Sequence, residues 1–407
     1  MISLKSTTAP SSQLNLEVSR IFEEVSISPA QWDKLAMDCS TEIYQSYDWC
    51  KVWWKHYGNN RNLHILSFKI NDKLVGLLPF FVEIVGVGPA RIRVAKQVGS
   101  DYTFGMMRPI VIEEHLKQIV SMVHQYFLID QDCDCIRWGV LTENQPVVAI
   151  FNNHRPMLEE GDLEIFQISH GPESILNLYD SFEAYLKSLS KNHRVNFRRS
   201  LNRLNREVDF EIRVVEGGEP IGQALKSFIE LHQTQWEALG ESGHFGDYPR
   251  AFDFHKEMVN LQAKKGRFLL VCGYAGEYLV TAQYCYGIGN QLTWILPARR
   301  MEECWGKYGL GRVGFVIMVQ QAIERGYRTI SLGKAYWQYK SDLGGKEERS
   351  LSLIVAPSGK KGNKVKRHLL LFRLLNISFY KIWFRRVSPK LPMKRGPLWD
   401  SWFRWKL

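Results

Sequence analysis

Apolar positions recur along the chain at two periods, and the alternation between them predicts an ordered series of strands and helices. Residues 16–24 read as a strand. Residues 29–39 read as a helix opened by Pro29 in its first turn, and residues 46–56 as an aromatic helix with Trp49, Trp53 and Trp54. Residues 63–70 and 74–83, joined by Asn71 and Asp72, form an expected hairpin. A strand at 91–98, a helix at 113–127 and strands at 135–140 and 163–168 follow.

The second half repeats this plan. Helical spacing covers 181–190, 192–206, 221–239 and 250–264, and a second hairpin joins 267–274 to 278–286 through Ala275, Gly276 and Glu277. A strand at 291–296, a helix at 310–325 stopped by Gly326 and a strand at 328–332 complete an α/β unit. Leu74 and Val75 after the first turn correspond to Leu279 and Val280 after the second. The simplest reading is two similar α/β halves: a flexible arm at 1–14, a first domain at 15–170, a second at 171–356 and a tail at 357–407.

Composition excludes the other broad classes. Apolar residues make up 45% of the 407 and charged residues 23%, which argues against disorder and collagen-like repeats. Seven scattered Cys form no paired framework, and no metal-ligand spacing accompanies Cys133 and Cys135, so neither a disulfide scaffold nor a metal site is expected. The first residues contain no apolar signal segment, which makes the reducing cytoplasm the expected location. The net charge of +11 is concentrated in the tail, where 14 Lys and Arg from 357 to 407 face one acid, Asp400, leaving the body slightly acidic. Apolar and basic residues interleave in this tail, and its longest uncharged run, 374–380, is far too short to span a bilayer. Either an interfacial helix on anionic lipid or a helix closing the fold accounts for its apolar half. The cluster Trp399, Trp402, Phe403, Trp405 with Arg404 and Lys406 favours the lipid surface.

Several segments could carry chemistry. Lys307, Tyr308, Gly309, Leu310, Gly311 and Arg312 precede an apolar helix, where free N–H groups could hold a coenzyme A pyrophosphate; a flexible helix start is the competing reading. His232 and Trp236 lie one turn apart, so His232 is a candidate general base, or else a histidine packed on Trp236. His244 sits on a glycine-flanked loop and reads as part of a lid. The helix at 191–206 holds Lys191, Arg194, Arg198, Arg199, Arg203 and Arg206 without an acid, either a solvated face or a contact to an anionic substrate. No nucleophile elbow, P-loop, dinucleotide fingerprint or metalloprotease helix occurs.

From about residue 42 to 345 the order of these motifs resembles the CelD-like acyltransferases of bacterial cellulose and exopolysaccharide clusters, a GNAT-related group. The resemblance rests on Trp49 and Trp53, on Val75, Gly76, Leu77, Leu78 and Pro79, and on the Arg series of 192–204. It continues through His232 with Trp236, Gly266 and Arg267, the segment from Ala322 to Tyr327, and Tyr339 with Lys340. It implies two tandem GNAT folds, each a mixed twisted sheet flanked by helices, an acyl-CoA donor, no metal, and a sugar hydroxyl or amine acceptor. Similar proteins carry an acidic pair shortly before the Tyr-Lys, where this chain has Lys334, Ala335, Tyr336, Trp337 and Gln338.

The resulting expectation is a cytoplasmic acyltransferase of exopolysaccharide or cell-envelope synthesis, held on the inner membrane surface by its tail. His232, Tyr308, Tyr339 and Lys340 make up its catalytic set, with His232 as base and Tyr308 or Tyr339 as donor to the departing thiolate. Lys307, Gly309, Leu310, Gly311 and Arg312 bind the donor; Arg194, Arg198, Trp236 and His244 bind the acceptor. Two alternatives stay open: a Fem-type aminoacyltransferase using aminoacyl-tRNA, and a catalytically silent accessory protein of polysaccharide synthesis.

Overall fold

The computed structural model of the chain describes residues 13–102, 105–153, 157–158, 161–334, 338–387 and 397–407. The expected arm lies almost wholly outside them, as do Ala335, Tyr336 and Trp337. In the first half, strands β1 (Leu14–Ser19), β2 (Asn62–Ile70), β3 (Lys73–Val85), β4 (Ile92–Gln97) and β5 (Ile110–Val111) precede β6 (Cys135–Thr142), β7 (Met157–Leu158) and β8 (Gly161–Ser169). Helices α1 (Pro29–Asp38), α2 (Tyr47–Tyr57), α3 (Leu116–His124) and α4 (Pro146–Asn153) lie between them. Ser28 caps α1 reciprocally with Gln31, and Ser46 caps α2. The expected strand at 16–24 stops at Ser19 and gives way to a short helical turn, Phe22–Glu24. The expected helix at 113–127 is a 3₁₀ turn, α3, and a π segment, Gln125–Asp130.

The second half contains β9 (Glu173–Asn177), α5 (Phe182–Ser188), α6 (Lys191–Glu207), β10 (Phe210–Val215), α7 (Ile221–Ala238), α8 (Gly243–Asp247) and α9 (Ala251–Lys264). The hairpin β11 (Phe268–Ala275) and β12 (Tyr278–Ile288) follows, then β13 (Gln291–Arg299), α10 (Glu303–Gly306), α11 (Leu310–Glu324), β14 (Thr329–Lys334), α12 (Gln338–Asp342) and β15 (Lys346–Glu348). The second sheet runs β10-β11-β12-β13-β14-β9-β15, antiparallel except between β13 and β14. The chain then returns to the first half. Strand β16 (Ser350–Pro357), which the sequence reading places in the second domain, pairs with β6 and β8 inside the first sheet, β1-β2-β3-β4-β6-β16-β8-β7. Helix α13 (Lys360–Leu375), a π segment (Asn376–Val387) and α14 (Pro397–Trp405) complete the described chain.

Each sheet buries both faces. On one face of the first sheet, α3, the π segment and α4 cover Leu78, Phe80 and Val82. Its other face, with Leu77 and Phe81, joins α2 to α7, α9 and the inner face of the second sheet in one core containing Trp49, Phe228, Tyr284 and Tyr286. The two halves therefore share a core. At its centre Phe254 of α9 meets Trp49 of α2 edge-on, with ring centroids 5.0 Å apart. On the outer face of the second sheet α11 crosses β12 at Gly314, where a Cβ would lie 2.5 Å from Thr281 Oγ1.

The end of the tail is docked, which corrects the view that its aromatic cluster needs a lipid partner. Phe403 packs on Tyr102 of the first half and Tyr248 of the second, and Trp399 Nε1 donates to Asp247 O at 2.5 Å. Arg404 reaches the buried carboxylate of Glu83 at 2.8 Å, where Lys96 at 3.0 Å and Arg61 at 3.2 Å already converge. Removing one partner from a buried set of this kind costs ~3–5 kcal/mol, so α14 is a part of the fold rather than an appendage.

Candidate functional site

The second sheet is split at its centre. Parallel pairing of β13 with β14 covers three residue pairs, Gln291 with Thr329, Leu292 with Ile330 and Thr293 with Ser331. Beyond them β13 continues to Arg299 against β12, and β14 continues to Lys334 against β9. The register of β13 shifts against β12 between Leu296 and Trp294, so Ile295 is an inserted bulge residue at the start of the gap. The two strands therefore part beyond Thr293 and Ser331, leaving an opening between their facing edges.

Helix α11 begins beside this opening. Gly309, at its N-cap, takes a left-handed φ of 61° and supplies no side-chain cap, so the N–H groups of Leu310 and Gly311 have no intrahelical partner. Gly311 leaves room for Arg299 across the helix start; a Cβ there would lie 3.3 Å from Arg299 Cδ. Neither Arg299 nor Arg312 forms an ion pair among the described residues. Arg299, which the sequence reading did not single out, thus joins Leu310, Gly311 and Arg312 in a cationic, N–H-rich pocket edge that fits an anion.

The basic helix α6 braces this segment. Arg203 donates to Lys307 O at 3.1 Å, and Glu207, just past the run of basic residues, accepts from Lys307 Nζ at 2.9 Å and Tyr308 Oη at 3.2 Å. Hydrogen bonds from Lys307 and Arg206 hold the Glu207 carboxyl down at about 2. Lys307 and Tyr308 are therefore engaged in docking α6. Arg194 caps the carbonyls of Lys187 and Leu189, and Arg198 pairs loosely with Glu183 at 3.9 Å on the surface. The structure does not bring these two arginines to Trp236 and His244, with which the sequence reading grouped them.

Helix α7 holds the free arm of β13. His232 Nδ1–H donates to Pro297 O at 2.8 Å and Gln235 Oε1 accepts from the Arg299 N–H at 2.8 Å. The second nitrogen of His232 accepts from the His244 N–H at 3.4 Å, so both ring nitrogens are occupied and the side chain is 1% exposed. Its ring lies 6.0 Å from Trp236. A buried chain continues from His244 Nε2 to His255 Nε2 at 2.9 Å and from His255 Nδ1 to Tyr284 Oη at 3.0 Å, ending on Tyr286. Sequence spacing found His232 and His244 but not His255, whose neighbours are brought in by the hairpin.

Two further predicted residues close the far side of the opening. Tyr339 stands 40% exposed on α12, its ring 6.5 Å from that of Trp294 on β13, and burial of its hydroxyl pushes it up to about 12. Lys340 Nζ donates to the carbonyls of Gly333 and Lys334 at 3.1 Å, which ties α12 to the end of β14. Desolvation lowers that ammonium to about 8.

Residues 191–341, which contain this opening, match the acetyltransferase (GNAT) domain family. The second half thus carries a GNAT-type acetyltransferase domain. Across both halves the chain is similar to the crystal structure of FemX, with a TM-score of 0.58 at 11% identity over 82% of this chain and 96% of that one. A conserved protein of unknown function from Bacteroides thetaiotaomicron is similar at a TM-score of 0.50 and 10% identity, over 82% and 98%. At such identities the likeness is one of fold. No curated protein sequence matches the chain.

Burial gives the fold a pH signature. Seven imidazoles, those of His64, His124, His170, His232, His244, His255 and His368, are held below their ordinary range chiefly by desolvation, His232 at about 4 and His255 at about 3. Two buried carboxyls, Glu42 and Glu173, are shifted the opposite way. Below about pH 6.5 the unfolded chain takes up protons that the folded imidazoles refuse, so stability falls with falling pH, and seven groups outweigh two. The thermal unfolding midpoint, followed by circular dichroism, is expected to drop steadily from pH 7 to pH 5; a flat profile would contradict this burial.

Proposed function

We propose that the protein is an acyl-CoA-dependent acyltransferase whose donor lies in the opening between β13 and β14, with its pyrophosphate at the start of α11. The observation that carries the reading is the coincidence of that opening with uncapped N–H groups and the unpaired Arg299 and Arg312. Transfer then depends mainly on positioning the acceptor against the thioester and on a backbone N–H at the Ile295 bulge of β13 that stabilises the developing oxyanion. Tyr339, which keeps its proton at neutral pH, is the donor to the departing thiolate. Tyr308, tied to Glu207, supports the helix start. The first half is a scaffold without a donor seat, because Glu113 and Glu114 precede α3 where an anion would sit. The acceptor belongs to exopolysaccharide or cell-envelope chemistry, as the CelD-like motif order suggests.

His232 acts in this reading as a positioning residue that keeps the β13 arm apart from β14. Its buried, fully bonded ring argues against direct proton abstraction.

A second reading, with aminoacyl-tRNA in place of acyl-CoA, draws on the exposed arginines of α6, Arg199 and Arg206, beside the same opening. A third surface concerns location. No helix among the described residues is long and apolar enough to cross a membrane. Leu370, Leu374, Ile377, Ile382 and Trp383 nevertheless project into solvent from α13 and the π segment that follows, interleaved with Arg367, Arg373, Lys381 and Arg386. We assign the membrane contact to this stretch, not to the docked α14.

Three measurements test these assignments. Calorimetric titration with acetyl-CoA should give saturable binding to one site, and Gly311→Val should weaken it by about tenfold or more with an unchanged melting temperature. Binding of tRNA without CoA would favour the second reading. His232→Ala should weaken donor affinity and lower the rate together, roughly tenfold each, with the acid limb of the pH–rate profile intact; loss of that limb with a fall of ~10²–10⁴ in rate alone would restore it as the base. The full chain should sediment with vesicles containing phosphatidylglycerol and release at high salt, whereas a Leu370→Ser, Leu374→Ser, Lys381→Glu variant should stay in solution. Equal sedimentation of the two would remove the membrane assignment.

A further inference from the structure

A cavity of about 240 Å³ lies between the two halves, at the root of the opening rather than at its mouth, and Ser40, Glu42, Arg108, Gln145, Glu173 and Gln291 contribute to its wall. Glu42 precedes α2 in the first half, and Glu173 opens β9 in the second. Ser331, the last residue of β14 paired with β13, donates to Glu173 Oε1 at 2.9 Å and so links the cavity to the split in the sheet. The same hydroxyl also hydrogen-bonds the Glu42 carboxyl. Glu42 Oε2, Glu173 Oε2 and Gln145 Oε1 are buried without a hydrogen-bond partner among the described residues, on residues exposed by only 8%, 1% and 9%.

Three buried acceptors converging on one cavity call for a ligand rich in donors. The charge decides which kind. Glu348 adds a third carboxyl to the wall, and although Arg108 and Lys334 lie nearby, neither forms an ion pair with Glu42 or Glu173 among the described residues. Burial, and for Glu42 the neighbouring Glu173, favours the protonated carboxyls, while Lys334 and, for Glu173, Lys340 act against it without forming an ion pair to either among the described residues. A hydroxyl donates one hydrogen bond and leaves that imbalance in place. An ammonium donates three and allows both carboxyls to ionise around it, forming charge-assisted hydrogen bonds.

We propose that this cavity receives the ammonium group of a small primary amine, held between Glu42 and Glu173, and that this amine is the acyl acceptor. The second clause rests on the acyltransferase reading above; the first does not. The reaction selected is therefore N-acylation: the amine, once deprotonated, bonds to the thioester carbonyl carbon, the carbon–sulfur bond breaks, and the thiolate leaves with a proton.

Matched pairs that differ in one group separate the possibilities. The full chain is titrated calorimetrically, without CoA, with glucosamine and glucose and with cadaverine and 1,5-pentanediol. At least one amine is expected to bind about tenfold or more tighter than its hydroxyl partner, and Glu42→Gln and Glu173→Gln should each bring that ratio close to one. Each variant keeps the shape of its side chain and removes a carboxyl whose Oε2 has no donor among the described residues, so their melting temperatures should match or exceed that of the unaltered protein, which shows that the loss is not one of folding. Equal binding within both pairs, no binding of either amine, or a preference that survives in both variants would overturn the proposal. Failure of the acyltransferase reading is distinct, since it shows in the separate titration with acetyl-CoA.

Discussion

The ladder between β13 and β14 stops after Thr293 and Ser331, and every feature of the proposed site follows from that interruption. A continuous parallel pair would satisfy its own N–H and C=O groups and leave no room between strands. Here the two strands have other obligations beyond the third pair. Strand β14 is drawn toward β9, ending with Lys334 opposite Glu173, and β13 is held by the long antiparallel ladder with β12. The bulge at Ile295 and the two hydrogen bonds from α7 fix the free arm. A gap in a sheet that lacked such bracing would close by pairing or by collapse, because unpaired buried backbone groups are costly.

The first half gives the second its rigidity. Helix α2 packs against α9 inside a shared core, β16 returns to the first sheet after the second is complete, and α14 joins Glu83 on one side to Asp247 on the other. Three separate crossings of the chain or its core make relative motion of the halves expensive. This matters for a cavity walled by carboxyls from both halves, since Glu42 and Glu173 can share a ligand only if the halves keep their registration.

Local signals made much of the fold legible. Asn71 and Asp72 both take left-handed φ values of 48° and 62°, as a tight hairpin requires, and Gly276 and Gly326 occupy positive φ at the second turn and at the stop after α11. The repeated hairpin and helix pattern was therefore visible as sequence. Strand β16 was not, because a short, mostly apolar segment does not say which sheet it will enter. The histidines were visible as spacing, but spacing carries no information on burial, and His232 reads identically whether it faces a substrate or Pro297 O. Arg194 and Arg198 were grouped with the site on charge alone, and one of them turned out to cap α5. Glu42 and Glu173 belong to different halves with no local motif linking them, so only the packed structure brings them together.

The account stands on the opening between β13 and β14 as the donor seat. Amide chemical-shift mapping of the full-length protein on addition of coenzyme A tests this most directly. Shifts concentrated at Leu310, Gly311 and Arg312 and at Trp294, Ile295 and Leu296, with β4 and β6 undisturbed, are the predicted result. Shifts centred on β4, β6 and the start of α3, or none at saturating coenzyme A, would contradict it.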